Sequence, residues 1–108
     1  MKIESYDLMK ITFEYYCSKS FSTYIKNPIF IICYDNYTKH IHSGMADPNR
    51  VDDAFEKLYV IVKKDEMKNF NQKIYEEKVA ELTGKVKEYY VKKRLQTIEG
   101  DFEEWKKN

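Results

Sequence analysis

Apolar residues in the C-terminal part of the chain recur with the spacing of one helix face. Tyr75, Val79, Leu82, Val86 and Tyr89 follow one another at alternating steps of four and three. In an α-helix such steps place all of these side chains on one narrow stripe. A stripe this regular is typical of a helix that packs lengthwise against a partner helix. We therefore predict a long C-terminal helix that lies against other helices.

A second apolar stripe follows the first in a different phase. It is formed by Val91, Leu95, Ile98, Phe102 and Trp105. Val91 lies two residues after Tyr89, which is roughly 200° around a helix at ~100° per residue. One straight helix cannot turn both stripes towards one neighbour. Two interpretations stay open: a bend that folds the end of the chain over its own bundle, or an exposed stripe that docks a second chain.

Three earlier stretches also carry helical patterns. Residues 5–25 have an apolar helical face, with strand-like alternation as the competing interpretation. Residues 48–64 follow a capping Asp47 and show a helical stripe, so we predict a helix there. Residues 28–43 fit either a helix, which we predict, or a hairpin. Pro28 at the start and Gly44 just after the end favour the helix, because proline suits the first helical position and glycine the position after the last one. The β-branched and aromatic run that follows Pro28 favours strands.

The scarcity of turn residues bears on the fold class. The chain has 108 residues with Gly 3 and Pro 2, fewer than an all-β fold with many tight turns needs. We predict a single domain over 1–108, a mainly α bundle of three to four helices with a long C-terminal helix and an acidic, aromatic tail at 99–108. The alternative is an α+β fold, in which an N-terminal hairpin or sheet packs on two C-terminal helices.

The sequence contains no recognisable motif for catalysis, a cofactor or a phosphate group. Cys33, His40 and His42 are candidate zinc ligands, but zinc needs further ligands that the spacing does not supply. Ser43 next to His42 is not a nucleophile with its base, because adjacent side chains diverge. No Gly-rich phosphate loop is present. We therefore predict a non-enzymatic protein without a metal or cofactor.

A lysine-rich helix surface is the signal for nucleic-acid binding, which is the alternative function. Its residues are Lys78, Lys85, Lys87, Lys92 and Arg94. Such a surface can bind phosphates, and Tyr90 is near enough in sequence to stack on a base. Against this, the formal net charge is only +1. Glu81 and Glu88 also stand four residues before a lysine, where they neutralise part of this surface.

Protein binding is the predicted function. The predicted interface is the second stripe: Val91, Leu95, Ile98, Phe102 and Trp105. Aromatic and apolar side chains of this kind dominate protein interfaces. We predict a regulator, an inhibitor or an assembly subunit whose partner is another protein or a second copy of the chain, with a homodimer expected in the second case. Its size and lysine-rich composition are typical of viral, phage or mobile-element accessory proteins.

The cysteines and the apolar runs indicate a location. Cys17 and Cys33 are the only cysteines, and no stretch resembles a signal peptide, so we expect free thiols in a reducing compartment. The longest apolar run, residues 29–34, is too short to span a bilayer. We predict a cytoplasmic protein that does not enter membranes.

Overall fold

The computed structural model describes residues 1–18 and 25–100, and side chains as far as residue 94. In this part of the chain the elements are β1 (Lys2–Ile3), α1 (Tyr6–Ser18), β2 (Ile29–Asp35), β3 (His40–Ala46), α2 (Val51–Ala54), β4 (Tyr59–Ile61), α3 (Lys64–Lys68) and α4 (Gln72–Gly100). The fold class is α+β, so the prediction of a mainly α bundle is wrong. The stated alternative, α+β, is the class observed.

The strands form one curled sheet in the order β1-β3-β2-β4. Strands β2 and β3 are an antiparallel hairpin, paired from Ile29 with Ala46 to Asp35 with His40. Strand β1 pairs in parallel with β3, and β4 pairs antiparallel with the other side of β2. The two short strands β1 and β4 are therefore the edges of the sheet.

Residues 28–43 contribute to the hairpin, and the helix predicted there is wrong. The Asp35 carboxylate accepts hydrogen bonds from the backbone N–H groups of Tyr37 and Thr38, at 2.8 and 3.2 Å. This side-chain-to-backbone bonding stabilises the turn between the strands. Gly44, which resembles a helix terminator in the sequence, lies inside β3.

Residues 48–64 contain only a short helix, and the single helix predicted there is also wrong. Helix α2 ends where Glu56 and Lys57 adopt left-handed conformations with φ of 52° and 62°. The chain then continues through β4, and alternate residues of the strand and its flanks are buried: Leu58, Val60 and Val62. Leu58 and Val62 fit a helical stripe with Val51 and Phe55, but the burial of Val60 between them has the period of a strand.

The core consists of two clusters on opposite faces of the sheet. Because side chains alternate along a strand, β2 contributes to both. The larger cluster contains Met9, Phe13, Ile32, Tyr34, Ile41, Leu58, Val60, Val62, Met67, Phe70, Leu82 and Val86. The smaller cluster contains Ile31, Cys33, Ala46 and Val51. The run of residues 31–34 is apolar throughout because both sides of β2 are covered.

Helix α4 packs its first apolar stripe against the larger cluster. Leu82 and Val86 are buried, and the other members of the stripe are partly buried. The stripe is therefore a packed face, as predicted, but it lies across β2 and β4 and not along a partner helix. Gly84 interrupts neither the helix nor the stripe. Within the described residues, no helix combines the length and the apolar character that a membrane span requires.

Candidate functional site

The predicted interface begins at Val91, in the part of α4 that runs beyond the core. Val91 is 55% exposed, and residues 91–94 are exposed throughout. Leu95 and Ile98 lie within α4, but their side chains are outside the described residues, as are Phe102, Trp105 and the tail. The structure therefore places one member of the second stripe, Val91, on the surface.

Helix α1 carries an exposed apolar stripe that the sequence analysis did not identify. Leu8, Ile11 and Tyr15 are 53%, 62% and 51% exposed. They are spaced by three and four residues, so they lie on one side of the helix, away from the buried Met9 and Phe13. The same spacing rule finds this stripe in the sequence. It was missed because the more apolar buried face dominates the helical pattern of residues 5–25.

Charged residues accompany both exposed surfaces at the same interval. Asp7 and Glu14 are exposed on α1, seven residues apart along one flank of the stripe. Lys87 and Arg94 are exposed on α4, also seven residues apart, along one flank of Val91. Two helices laid side by side can therefore align both acids with both bases.

The predicted nucleic-acid-binding residues are not gathered on one surface. Lys78 forms an ion pair with Glu66 at 3.1 Å, and Lys92 forms one with Glu88 at 3.2 Å. Positions 87 and 94 lie two residues after 85 and 92, which is roughly 200° around the helix. Lys87 and Arg94 consequently face away from Lys78 and its neighbours on the same face.

The predicted metal-ligand candidates do come together on the smaller-cluster face of the sheet. The Cys33 Sγ lies 3.8 Å from His42 Nε2, and the His40 and His42 rings are 5.8 Å apart. Burial, with smaller contributions from nearby acids, raises the pKa of the Cys33 thiol to about 12. A thiol whose pKa is raised in this way is a poor nucleophile at neutral pH. Among the described residues, no group of three or more His, Cys, Asp or Glu could hold a metal ion.

A network of tyrosines joins the hairpin turn to α4. The hydroxyls of Tyr34 and Tyr90 are 2.9 Å apart. Tyr90 donates to Asn36 Oδ1 at 2.8 Å and accepts from Lys39 Nζ at 2.9 Å. Burial and the bond with Tyr90 raise the pKa of Tyr34 to about 12. The bonds from Lys39 and Tyr34 lower the pKa of Tyr90.

The same network extends to the turn between α2 and β4. The Tyr89 hydroxyl donates to the Glu56 carboxylate, and this bond is the main reason that the pKa of Glu56 is lowered. Lys93 Nζ lies 4.9 Å from the centre of the Tyr89 ring. These contacts fix the two turns to α4 at the point where the helix leaves the core. The cluster therefore sets the direction of the exposed end of α4.

Comparison with known proteins identified no relative. No protein family, no curated protein and no solved structure matches this chain. The functional conclusion therefore depends on the surfaces described above.

Proposed function

We propose that this protein is a non-enzymatic binding protein that acts by contact with other proteins, and that its first partner is a second copy of itself. The observation that carries this proposal is the exposed stripe of Leu8, Ile11 and Tyr15. Contiguous apolar surface of this kind commonly marks a protein interface. The proposal includes the predicted role, which is that of a regulator, an inhibitor or an assembly subunit. It also includes the predicted viral or mobile-element origin and the cytoplasmic location.

Charge complementarity supports a second copy as the partner. The α1 stripe is flanked by Asp7 and Glu14, whereas Val91 on α4 is flanked by Lys87 and Arg94. In the proposed dimer, α1 of each copy lies against the exposed end of α4 of the other. A two-fold axis then forms each contact twice, which is the commonest symmetry among homo-oligomers.

The test is a charge exchange followed by mass in solution. We expect the wild type to be a dimer by light scattering. Asp7→Lys/Glu14→Lys should weaken the dimer, because the new lysines repel Lys87 and Arg94. Lys87→Glu/Arg94→Glu should weaken it for the converse reason. Combining all four changes should restore the dimer, since each pair is again of opposite charge.

Two further variants complete the test. Leu8→Asp/Ile11→Asp should give a folded monomer, because both side chains are exposed and make little contribution to the core. Lys73→Glu/Lys64→Glu changes exposed charges elsewhere and should leave the dimer unchanged. A monomeric wild type, or a failure of the fourfold variant to recover the dimer, would contradict self-association.

Nucleic-acid binding by Lys78, Lys85, Lys87, Lys92 and Arg94 stays a prediction that this geometry does not favour. The five residues occupy two sides of α4, and Lys78 and Lys92 are paired with acids. An affinity for duplex or single-stranded DNA that falls steeply with salt concentration would support nucleic-acid binding.

A further inference from the structure

Strand β4 is an edge of the sheet, and its outer side is a row of backbone groups. Val62 N–H donates to the Phe30 carbonyl at 2.7 Å, and the Leu58 carbonyl accepts from Tyr34 N–H at 2.9 Å. Even-numbered residues of this segment therefore bond inwards to β2. By the alternation of an antiparallel ladder, the N–H and C=O groups of Tyr59 and Ile61 point outwards.

Two lysines of α4 occupy the outward carbonyls. Lys85 Nζ donates to the Tyr59 carbonyl and Lys78 Nζ to the Ile61 carbonyl, each at 3.1 Å. Within the described residues, the outward N–H groups of Tyr59 and Ile61 donate to no acceptor. Lysines beside an edge strand also discourage uncontrolled strand pairing. Here they cover only the acceptors, so the donors remain available to a strand.

A cleft of about 330 Å³ lies along this edge. One wall is α4, through Lys78, Glu81 and Lys85, and the other is β4 with the segment before it. Lys57 also lines the cleft, so three lysines face two acids, Glu81 and Asp52. The Asp52 carboxylate already accepts a hydrogen bond from the Tyr59 hydroxyl at 2.6 Å. Lys78 is already paired with Glu66 at 3.1 Å, whereas Lys85 has no carboxylate partner among the described residues and bonds only the Tyr59 carbonyl. Lys85 can therefore pair with an acidic group of a ligand.

We propose that this cleft binds an extended peptide segment of another protein, which adds to the sheet as a fifth strand beside β4. The peptide carbonyls accept from the N–H groups of Tyr59 and Ile61, and the peptide N–H groups replace the lysines at the two carbonyls. The displaced Lys85 is then free to pair with a carboxylate of the peptide. Binding by strand addition uses main-chain bonds for affinity and alternate side-chain positions for specificity.

The two faces of the sheet specify the side chains of the peptide. Ile61 is 48% exposed on the smaller-cluster face, so a peptide residue on that face should be apolar. Peptide residues that point to the opposite face approach α4 at Lys85, and these should be acidic because Lys85 has no carboxylate partner among the described residues. The expected ligand is an extended segment in which apolar and acidic residues alternate.

The experiment is selection from a display library of random peptides of roughly twelve residues. Peptides enriched on the wild type should alternate apolar and acidic residues. Their affinity should fall at least tenfold for Ile61→Pro, which removes an outward N–H that the fold does not use. Ile61→Ala keeps that N–H and serves as the matched control, and it should lower the affinity for the peptides by less. Lys85→Gln should weaken acidic peptides and leave neutral ones unaffected.

Amide exchange on the wild type gives an independent measurement if Ile61→Pro does not fold. An enriched peptide should slow exchange at the amides of Tyr59 and Ile61, while Val60 and Val62 are protected with or without it. Absence of enrichment, or binding that leaves the two outward amides unchanged, would overturn the proposal. The proposed dimer is tested separately by mass, so either conclusion can fail alone.

Discussion

Cys33 and Tyr34 are neighbours on β2 whose side chains lie on opposite faces of the sheet, and both hold their protons more tightly than in solution. The pKa of each is raised to about 12, chiefly by burial. In the unfolded chain these groups have ordinary pKa values, about 8.5 for a thiol and 10 for a tyrosine. The folded state therefore retains protons that the unfolded state loses in alkaline solution.

Stability should consequently decrease as the pH rises. The contribution of the protonated Cys33 thiol is fully present below about pH 8.5 and is lost as the pH rises towards 12. We expect the urea midpoint of unfolding to fall over this range. In Cys33→Ala the fall should be smaller, because that thiol no longer contributes. If the wild type and Cys33→Ala lose the same stability in alkaline solution, the Cys33 thiol does not contribute to the pH dependence.

Tyr90 should contribute to stability because its hydroxyl is the hydrogen-bond partner of the buried Tyr34 hydroxyl. In Tyr90→Phe the Tyr34 hydroxyl loses that partner, which we expect to cost about 1–3 kcal/mol in the free energy of unfolding. Tyr37→Phe is the matched control, since Tyr37 is almost fully exposed and the change should have little effect. Denaturant unfolding of the two variants makes the comparison.

At the scale of elements, α4 contains a glycine that the fold does not require. Gly84 is exposed within the helix, has no positive φ, and a Cβ placed there meets nothing within 4 Å. Gly84→Ala should therefore raise the free energy of unfolding by about 0.8–1 kcal/mol. Ala80→Gly, at another exposed position of α4, should lower it by a similar amount. A loss of stability in Gly84→Ala would show that this surface is covered in the protein in solution.

The elements also show which sequence signals were sufficient. The stripe from Tyr75 to Tyr89 correctly indicated a long helix, because its period is unambiguous over four turns. Residues 58–62 fit both periods, and only the sheet beside them selects the strand. The hairpin residues 29–34 carried the strand signal, but it was outweighed by Pro28 and Gly44, which here do not bound a helix.

The candidate surfaces were less predictable than the fold. The exposure of Val91 follows from the sequence, since an apolar residue out of phase with the packed stripe faces away from the core, but its role in an interface stays a prediction. Leu8 and Ile11 were not, because helical spacing alone cannot say which of two apolar faces is buried. The spacing of Lys78 and Lys85 predicts a surface for nucleic acid, whereas in the structure both side chains donate hydrogen bonds to backbone carbonyls of β4. Sequence periodicity does not reveal contacts between distant elements.

At the scale of the whole molecule, the two apolar clusters share a single sheet and should unfold together. Leu82→Ala in the larger cluster and Ile31→Ala in the smaller one each remove a fully buried side chain. Each should lower the free energy of unfolding by about 2–5 kcal/mol. Circular dichroism and tyrosine fluorescence should report the same midpoint in each variant. Separate midpoints would show that the clusters are independent units.

The uninterrupted course of α4 has a consequence for the kinetics of association. Nucleation is the unfavourable step in helix formation. In α4 the residues before 91 are already helical because they pack on the core, so the helix beyond them needs no nucleation of its own. A partner therefore meets a formed helix and need not wait for one to fold. Association should be limited by diffusion and orientation, with a rate constant of roughly 10⁵–10⁷ M⁻¹s⁻¹. Mutations in the proposed contact between α1 and the exposed end of α4 should therefore change mainly the dissociation rate of the complex.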